Sequence, residues 1–129
     1  MADEPISVLI VDDQAPFRSA ARAVVAMTPG FTVVGEAVSG EDAVTQVATL
    51  EPDLVLMDIN MPGINGIQAT RQITASQSQT VVILLSTYAA DELPADARTC
   101  GAATYVNKEE FGPEVLRRLE VWLEDGPDA

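Results

Sequence analysis

The segment LVLMDINMPGINGI, residues 54–67, starts with four apolar residues, reaches a single carboxylate at Asp58, and then breaks into turn residues at Asn60, Pro62, Gly63, Asn65 and Gly66. An unbroken apolar run without alternation is the pattern of a strand covered on both faces, as in a parallel sheet. We read the strand as 53–57. The Gly/Pro punctuation behind it means that Asp58 closes the strand and that the next eight residues form a tight loop. A buried strand that ends on a carboxylate needs a chemical reason, and the rest of the chain supplies candidates.

Four further runs resemble the first: ISVLIV (6–11), FTVVGEA (31–37), VVILL (81–85) and ATYV (103–106). The segments between them have helical spacing. In 15–27, Phe17, Ala21, Val24 and Val25 share a face; Pro16 suits a first turn and Pro29–Gly30 stops the helix. In 40–50, Ala43, Val47 and Leu50 share a face, Ser39 with Asp42 resembles a capping box, and Pro52 closes the segment. Segment 65–76 turns Ile67, Thr70 and Ile73 inward, and 113–123 buries Val115, Leu116, Leu119, Trp122 and Leu123. A fourth helix is expected from near Leu93 to before Gly101, starting late because of Pro94. Alternating strands and helices predict an α/β doubly wound, five-stranded parallel sheet.

The 129 residues are 47% hydrophobic, enough for one domain with its own core. We expect a single domain over 1–129, with a core of about 5–124 and a tail or the start of a linker at 125–129. No apolar run reaches the roughly 20 residues of a membrane span, and the acidic MADEPIS start has no basic n-region, so neither membrane nor secretion is expected. One cysteine, Cys100, excludes an internal disulfide, reads as a buried small hydrophobe, and fits a reducing cytoplasm. The absence of histidine excludes histidine zinc sites and Ser-His triads. A net charge of −13 without a basic stripe argues against direct nucleic-acid binding. Lys108 is the sole lysine beside six arginines.

Polar residues close the apolar runs: Asp12 and Asp13 after the first, Asp58 after the third, Ser86 after the fourth, Lys108 just past the fifth. Ligands of open α/β sheets bind outside the carboxyl ends of the strands, so these positions should converge. Three carboxylates in one cleft repel unless one is protonated or a cation sits among them. Hard oxygen donors suit Mg²⁺, which retains waters and accepts phosphoryl oxygens in their place. A hydroxyl (Ser86) and an ammonium (Lys108) beside it can hold the equatorial oxygens of a phosphoryl group. An aspartate can be the nucleophile, which makes Asp58 a candidate phosphoacceptor. Taken singly, Asp12 and Asp13 could be helix caps, Asp58 a turn-starting aspartate, and Ser86, Tyr105 and Lys108 ordinary structural or surface residues.

The pieces VLIVDDQ, PDLVLMDINMPGINGI, ILLST and GAATYVNK, in this order, resemble the receiver domain of two-component response regulators along essentially the whole chain. VVGEAVSGEDAV and MPGINGIQATRQI are most similar to the nitrate-regulator type. Spacing agrees: Ser86 lies 28 residues after Asp58, and Lys108 lies 22 after Ser86. The resemblance implies a flavodoxin-like (βα)5 fold with strand order 2-1-3-4-5. It implies a phosphorylation-dependent switch rather than an enzyme acting on other substrates, with Asp58 taking a phosphoryl group from the phosphohistidine of a sensor histidine kinase. It further implies Mg²⁺ on Asp13, Asp58 and the Asn60 carbonyl, with Asp12 acting through water, and Lys108 on the phosphate. Ser86 and Tyr105 would be the switch residues, and Asn60 and Tyr88 would tune hydrolysis of the acyl phosphate. The type usually carries a C-terminal helix-turn-helix, and these 129 residues hold no such helix-turn-helix; a homodimer is an open expectation. Ser86 stands where Thr is commoner and Glu109 where Pro is common, which leaves the last loop open.

Other readings fail on particular residues. A haloacid-dehalogenase-type phosphatase needs D-x-D at the first strand, where the chain reads VDDQA. A flavodoxin-like FMN carrier needs a Ser/Thr/Gly-rich phosphate loop where the chain has DDQAP. A degenerate receiver that binds partners without phosphate is disfavoured because all five functional side-chain types are present.

Overall fold

The computed structural model describes residues 5–77, 79–87 and 92–125, with side-chain surroundings through residue 120. Tyr88, the side chains of Trp122 and Leu123, and the tail beyond Asp125 therefore lie outside the described residues.

Five strands, β1 (Ile6–Val11), β2 (Phe31–Ala37), β3 (Leu54–Asp58), β4 (Val81–Ser86) and β5 (Thr104–Asn107), form one parallel sheet in the order β2-β1-β3-β4-β5. Four α-helices connect or follow them: α1 (Ala15–Ala26), α2 (Gly40–Leu50), α3 (Gly66–Ser76) and α4 (Pro113–Asp125). The period of two along β1, β3 and β4 splits their apolar runs between two cores. Leu9, Val11, Val55, Met57, Val82 and Leu84 face the side of α2 and α3. Val8, Ile10, Leu54, Leu56, Ile83 and Leu85 face the side of α1 and α4. Burial on both faces is why these strands read as continuous hydrophobic runs.

Helix ends follow local chemistry. The Ser39 hydroxyl accepts from the Asp42 N–H at 3.0 Å, while the Asp42 carboxylate reaches back to the N–H of Val38 rather than Ser39. Asn65 and Gln68 form a full capping box at the start of α3, with both bonds at 2.9 Å. The N-x-x-Q signature was present in the sequence as NGIQ.

Four expectations need correction. β3 starts at Leu54, because Asp53 is engaged elsewhere: its carboxylate accepts from the Ser7 N–H at 2.9 Å and its own N–H donates to the Ser7 hydroxyl. Asp58 is therefore the last residue of the strand instead of the first beyond it. β5 runs one residue later than read, to Asn107, which pairs with Ser86. β4 likewise runs one residue beyond the reading, with Ser86 as its last residue. The expected fourth helix is, among the described residues, one 3-10 turn at Ala95–Arg98 capped by Pro94. Proline lacks the N–H and disfavours helical geometry in the residue before it. The short turn still buries Ala97 and Cys100 against the first core.

Candidate functional site

β1 and β3 lie side by side at the point where the strand order reverses, and their carboxyl ends open into one crevice. Asp12 follows β1 directly, and its N–H still donates to the Ala37 carbonyl at 3.1 Å. Asp12 is fully buried, whereas Asp13, one residue on, points to solvent. Asp58 at the end of β3 is 5% exposed. One oxygen from each of Asp12, Asp13 and Asp58 lies within 4.8 Å of the others.

Lys108 follows the carboxyl end of β5, the edge strand, at the same end of the parallel strands as Asp12 and Asp58. It begins a 3-10 turn, Lys108–Glu110, capped by the Asn107 side chain, which accepts from the Glu109 N–H at 2.8 Å. This cap shapes the loop that Glu109, in place of proline, had left open. The Lys108 ammonium donates to Asp12 Oδ2 at 2.6 Å and stands 3.1 Å from Asp58 Oδ1. It also lies 4.6 Å from the centroid of the Phe17 ring, and Phe17 in turn packs on Phe111. A cation over an aromatic face gains about 0.5–2 kcal/mol.

Gly66 shapes the loop after Asp58. A Cβ on Gly66 would stand 2.0 Å from the Asp58 carbonyl oxygen, and the Gly66 N–H donates to the Ile59 carbonyl at 2.8 Å. Ile59 donates to Leu85 of β4, and Ile64 donates to the Glu41 carboxylate. Gly63 takes φ +78°, a left-handed conformation that favours glycine. The loop is thus tied to β4, α2 and α3 and cannot drift from the carboxylate it follows.

Burial first, then the charge of Asp12, push the Asp58 carboxyl from its ordinary 3.8 up to about 6; Lys108 pulls it down and Asp13 adds to the rise. Burial pulls Lys108 down, but its bonds to Asp12 and Asp58 outweigh this and its pKa is raised. Because the folded Asp58 pKa lies above the unfolded value, its contribution to stability is complete below about pH 4 and is lost as pH rises through about 6. In Mg²⁺-free buffer, Asp58→Asn should therefore gain in melting temperature on the wild type between about pH 4 and 7, and be the more stable at neutral pH. Paired melts across that range check this; a gap independent of pH would make Asp58 an ordinary carboxylate.

The hard oxygen donors fit an ion such as Mg²⁺, which prefers such ligands and retains waters. Of the residues singled out in the sequence, Asp12, Asp13, Asp58 and Lys108 come together directly. Ser86, buried at 2% exposure, ends β4 one residue beyond the register partner of Asp58 and so shares the same edge. Asn60 lies exposed in the loop after β3. Tyr105 is half-buried on β5, packed against the α2/α3-side core, with the Arg98 guanidinium 6.0 Å from its ring centroid. Sequence reasoning missed Phe17 beside Lys108, and Arg18, whose guanidinium donates to the Asp12 carbonyl at 2.7 Å. A cation in the first turn of a helix, where the dipole disfavours it, was the signal available for Arg18.

This arrangement of strand-end carboxylates and lysine has known relatives. The family model of the response regulator receiver domain matches residues 8–120, and the chain belongs to that family, the phosphoacceptor domains of two-component signalling systems. The response regulator UvrY of Escherichia coli strain K12 is 42% identical over 114 residues, covering 88% of this chain and 52% of that protein. The nitrate/nitrite response regulator protein NarL of the same strain is 32% identical over 116 residues, covering 90% of this chain and 54% of that protein. The chain thus spans about half the length of the curated relatives it matches. Among solved structures, the response regulator domain of Thermotoga maritima CheB superposes with a TM-score of 0.83 at 30% identity, covering 94% of this chain and 98% of that one. The CheX–CheY–BeF3–Mg²⁺ complex from Borrelia burgdorferi gives 0.78 at 30% identity, covering 92% and 89%.

Proposed function

We propose that Asp58 is the phosphoacceptor and that its phosphorylation by a sensor histidine kinase, in the presence of Mg²⁺, switches the domain between two states. The observation that carries this reading is the convergence of three carboxylates and the sole lysine at one edge of the sheet, with Lys108 Nζ 3.1 Å from Asp58 Oδ1. The family supports it, as does a structural relative solved with BeF3 and Mg²⁺.

The Asp58 carboxylate attacks phosphorus in line with the phosphorus–nitrogen bond of a phosphohistidine. An O–P bond forms, the P–N bond breaks, and the donor ring, protonated on its other nitrogen, leaves as neutral imidazole. Lys108 would hold one developing phosphoryl oxygen, and Ser86 another. Asp13, Asp58 and the Asn60 carbonyl would hold Mg²⁺, with Asp12 acting through water; the ion would supply charge neutralisation for the incoming phosphoryl oxygens. Asn60 and Tyr88 would tune the return hydrolysis, the domain's only turnover. Ser86 drawn to the phosphoryl group, with Tyr105 turning behind it, would carry the change outward.

The cytoplasm is the proposed compartment, residues 1–129 a single proposed receiver domain with a core of about 5–124 and a tail or the start of a linker at 125–129, and a homodimer a proposed assembly. No helix among the described residues is long and apolar enough to cross a membrane. A net charge of −13 argues against direct DNA contact by these residues, and a DNA-binding output domain is proposed in keeping with the name of one relative, transcriptional regulatory protein DegU of Brevibacillus brevis.

Incubation with acetyl phosphate and Mg²⁺ should add one phosphoryl group by intact mass, labile to hydroxylamine as acyl phosphates are. Asp58→Asn should add none. Labelling of that variant at the wild-type level would reject the assignment.

A further inference from the structure

We propose that Arg18 is a positioning residue for the acidic loop after β1: braced by Glu36, it fixes the Asp12 carbonyl and so sets where the Asp12 and Asp13 carboxylates stand for a divalent cation. The inference rests on the metal-site reading above and extends it to residues outside the acidic cluster.

Four hydrogen bonds hold Asp12. Its N–H donates to Ala37, its carboxylate accepts from the Gln14 N–H at 2.8 Å and from Lys108 at 2.6 Å, and its carbonyl accepts from Arg18 at 2.7 Å. That carbonyl belongs to the rigid peptide plane joining Asp12 to Asp13. Holding it fixes the direction in which Asp13 leaves the strand. No hydrogen bond from the described residues holds the Asp13 carboxylate, so its placement depends on its backbone.

The guanidinium is itself held. Arg18 Nε lies 3.2 Å from Glu36 Oε1, and the Arg18 side chain is only 17% exposed. Glu36 stands near the carboxyl end of β2, paired with Ile10 of β1, and its other carboxylate oxygen bonds Arg22. The planar fork of arginine can serve a carbonyl and a carboxylate at once, which a lysine ammonium on a flexible stem does less well. Helical side chains lean toward the helix N-terminus, so Arg18 in the first turns of α1 reaches back to the strand end.

Two effects of Arg18 on a bound cation have opposite signs. As a like charge it would weaken binding, and as a brace it tightens binding. Groups that orient metal ligands without touching the metal commonly change affinity by 10–100-fold. Arg22 provides the control, because it shares Glu36 and the same charge but has no bond to Asp12.

The test is an NMR-detected Mg²⁺ titration of wild type, Arg18→Gln, Arg18→Lys and Arg22→Gln at fixed ionic strength, each shown to be folded by its amide dispersion. The brace predicts a Kd about tenfold weaker in Arg18→Gln, weaker by at least about threefold in Arg18→Lys despite the retained charge, and within about twofold of wild type in Arg22→Gln. The Mg²⁺ concentration for half-maximal phosphorylation by acetyl phosphate should shift in the same direction. Unchanged or tighter binding in Arg18→Gln overturns the proposal, as does an equal loss in Arg22→Gln. If Arg18→Gln does not fold, Arg18→Lys decides: wild-type affinity there overturns the proposal. A wild type that binds no Mg²⁺ at millimolar concentration would instead reject the metal-site reading itself.

Discussion

Gly66→Ala is expected to lower the melting temperature by roughly 10 °C and to impair phosphorylation of what remains folded. The added Cβ would stand 2.0 Å from the Asp58 carbonyl oxygen, 2.8 Å from its carbonyl carbon and 2.9 Å from the Ile59 Cα. All three are backbone atoms, so no side-chain rotation relieves the clash. Either α3 backs away from the sheet, losing the packing of Ile67 and Ile73, or the Asp58 peptide shifts and moves the carboxylate. Overpacking of a tight interior typically costs about 1–3 kcal/mol, and a backbone clash belongs at or above the upper end. For a domain of this length about 3 kcal/mol corresponds to roughly 10 °C. Space is the cause here, since Gly66 is not among the positive-φ glycines. Gly112→Ala is the matched control: nothing lies within 4 Å of its added Cβ, and its melting temperature should stay close to wild type or rise slightly. Equal melting of the two variants would mean that the contact between α3 and the Asp58 peptide is not tight.

Lys108→Met is the second large effect. The ammonium lies between Asp12, which is fully buried, and Asp58, which is nearly so. Methionine keeps an unbranched side chain of similar length but removes the charge. Deleting one partner of a buried ion pair typically costs about 3–5 kcal/mol, because the remaining charge stays desolvated and unpaired. In Mg²⁺-free buffer near neutral pH, the variant should melt roughly 10 °C below wild type. Three conditions should restore it. Millimolar Mg²⁺ should raise its melting temperature more than that of wild type, since ligand stabilisation follows RT ln(1 + [L]/Kd) and loss of a competing cation tightens Kd. Acidification to about pH 5 should narrow the gap as Asp58, already pushed up to about 6, takes a proton. The double variant with Asp58→Asn should recover most of the loss. An unchanged melting temperature in Lys108→Met would class Lys108 as an ordinary surface lysine.

Much of this was legible from residue order. The apolar runs located all five strands to within one residue at their ends, because a strand buried on both faces must be apolar at successive positions. Pro16, Ser39 and Pro113 marked helix starts through local chemistry that needs no tertiary context. Asp12, Asp13, Asp58, Ser86 and Lys108 were identifiable because an α/β sheet places every strand's carboxyl end at one edge. The fourth helix was overestimated because the sequence pattern does not show how far proline shortens a turn that must also seat Ala97 and Cys100 in the core.

The sequence by itself determined the fold class, the number of strands and which residue types stand at their ends; these follow from apolar periodicity and local turn chemistry. Only the tertiary structure decided which of the two adjacent aspartates is buried against Lys108, and which cation braces them. Both depend on strand register. Val33 pairs with Val8 and Gly35 with Leu9, so Val34 is skipped and Glu36 comes opposite Ile10, where its carboxylate meets Arg18. Without that irregularity every residue after Val34 would face the other side of the sheet, because side chains alternate along a strand. The bonds from Arg18 to Asp12 and from Lys108 to Asp12 and Asp58 join segments that are distant in sequence or set at an angle to one another. They exist only once long-range pairing has brought those segments within reach, and no local pattern encodes them.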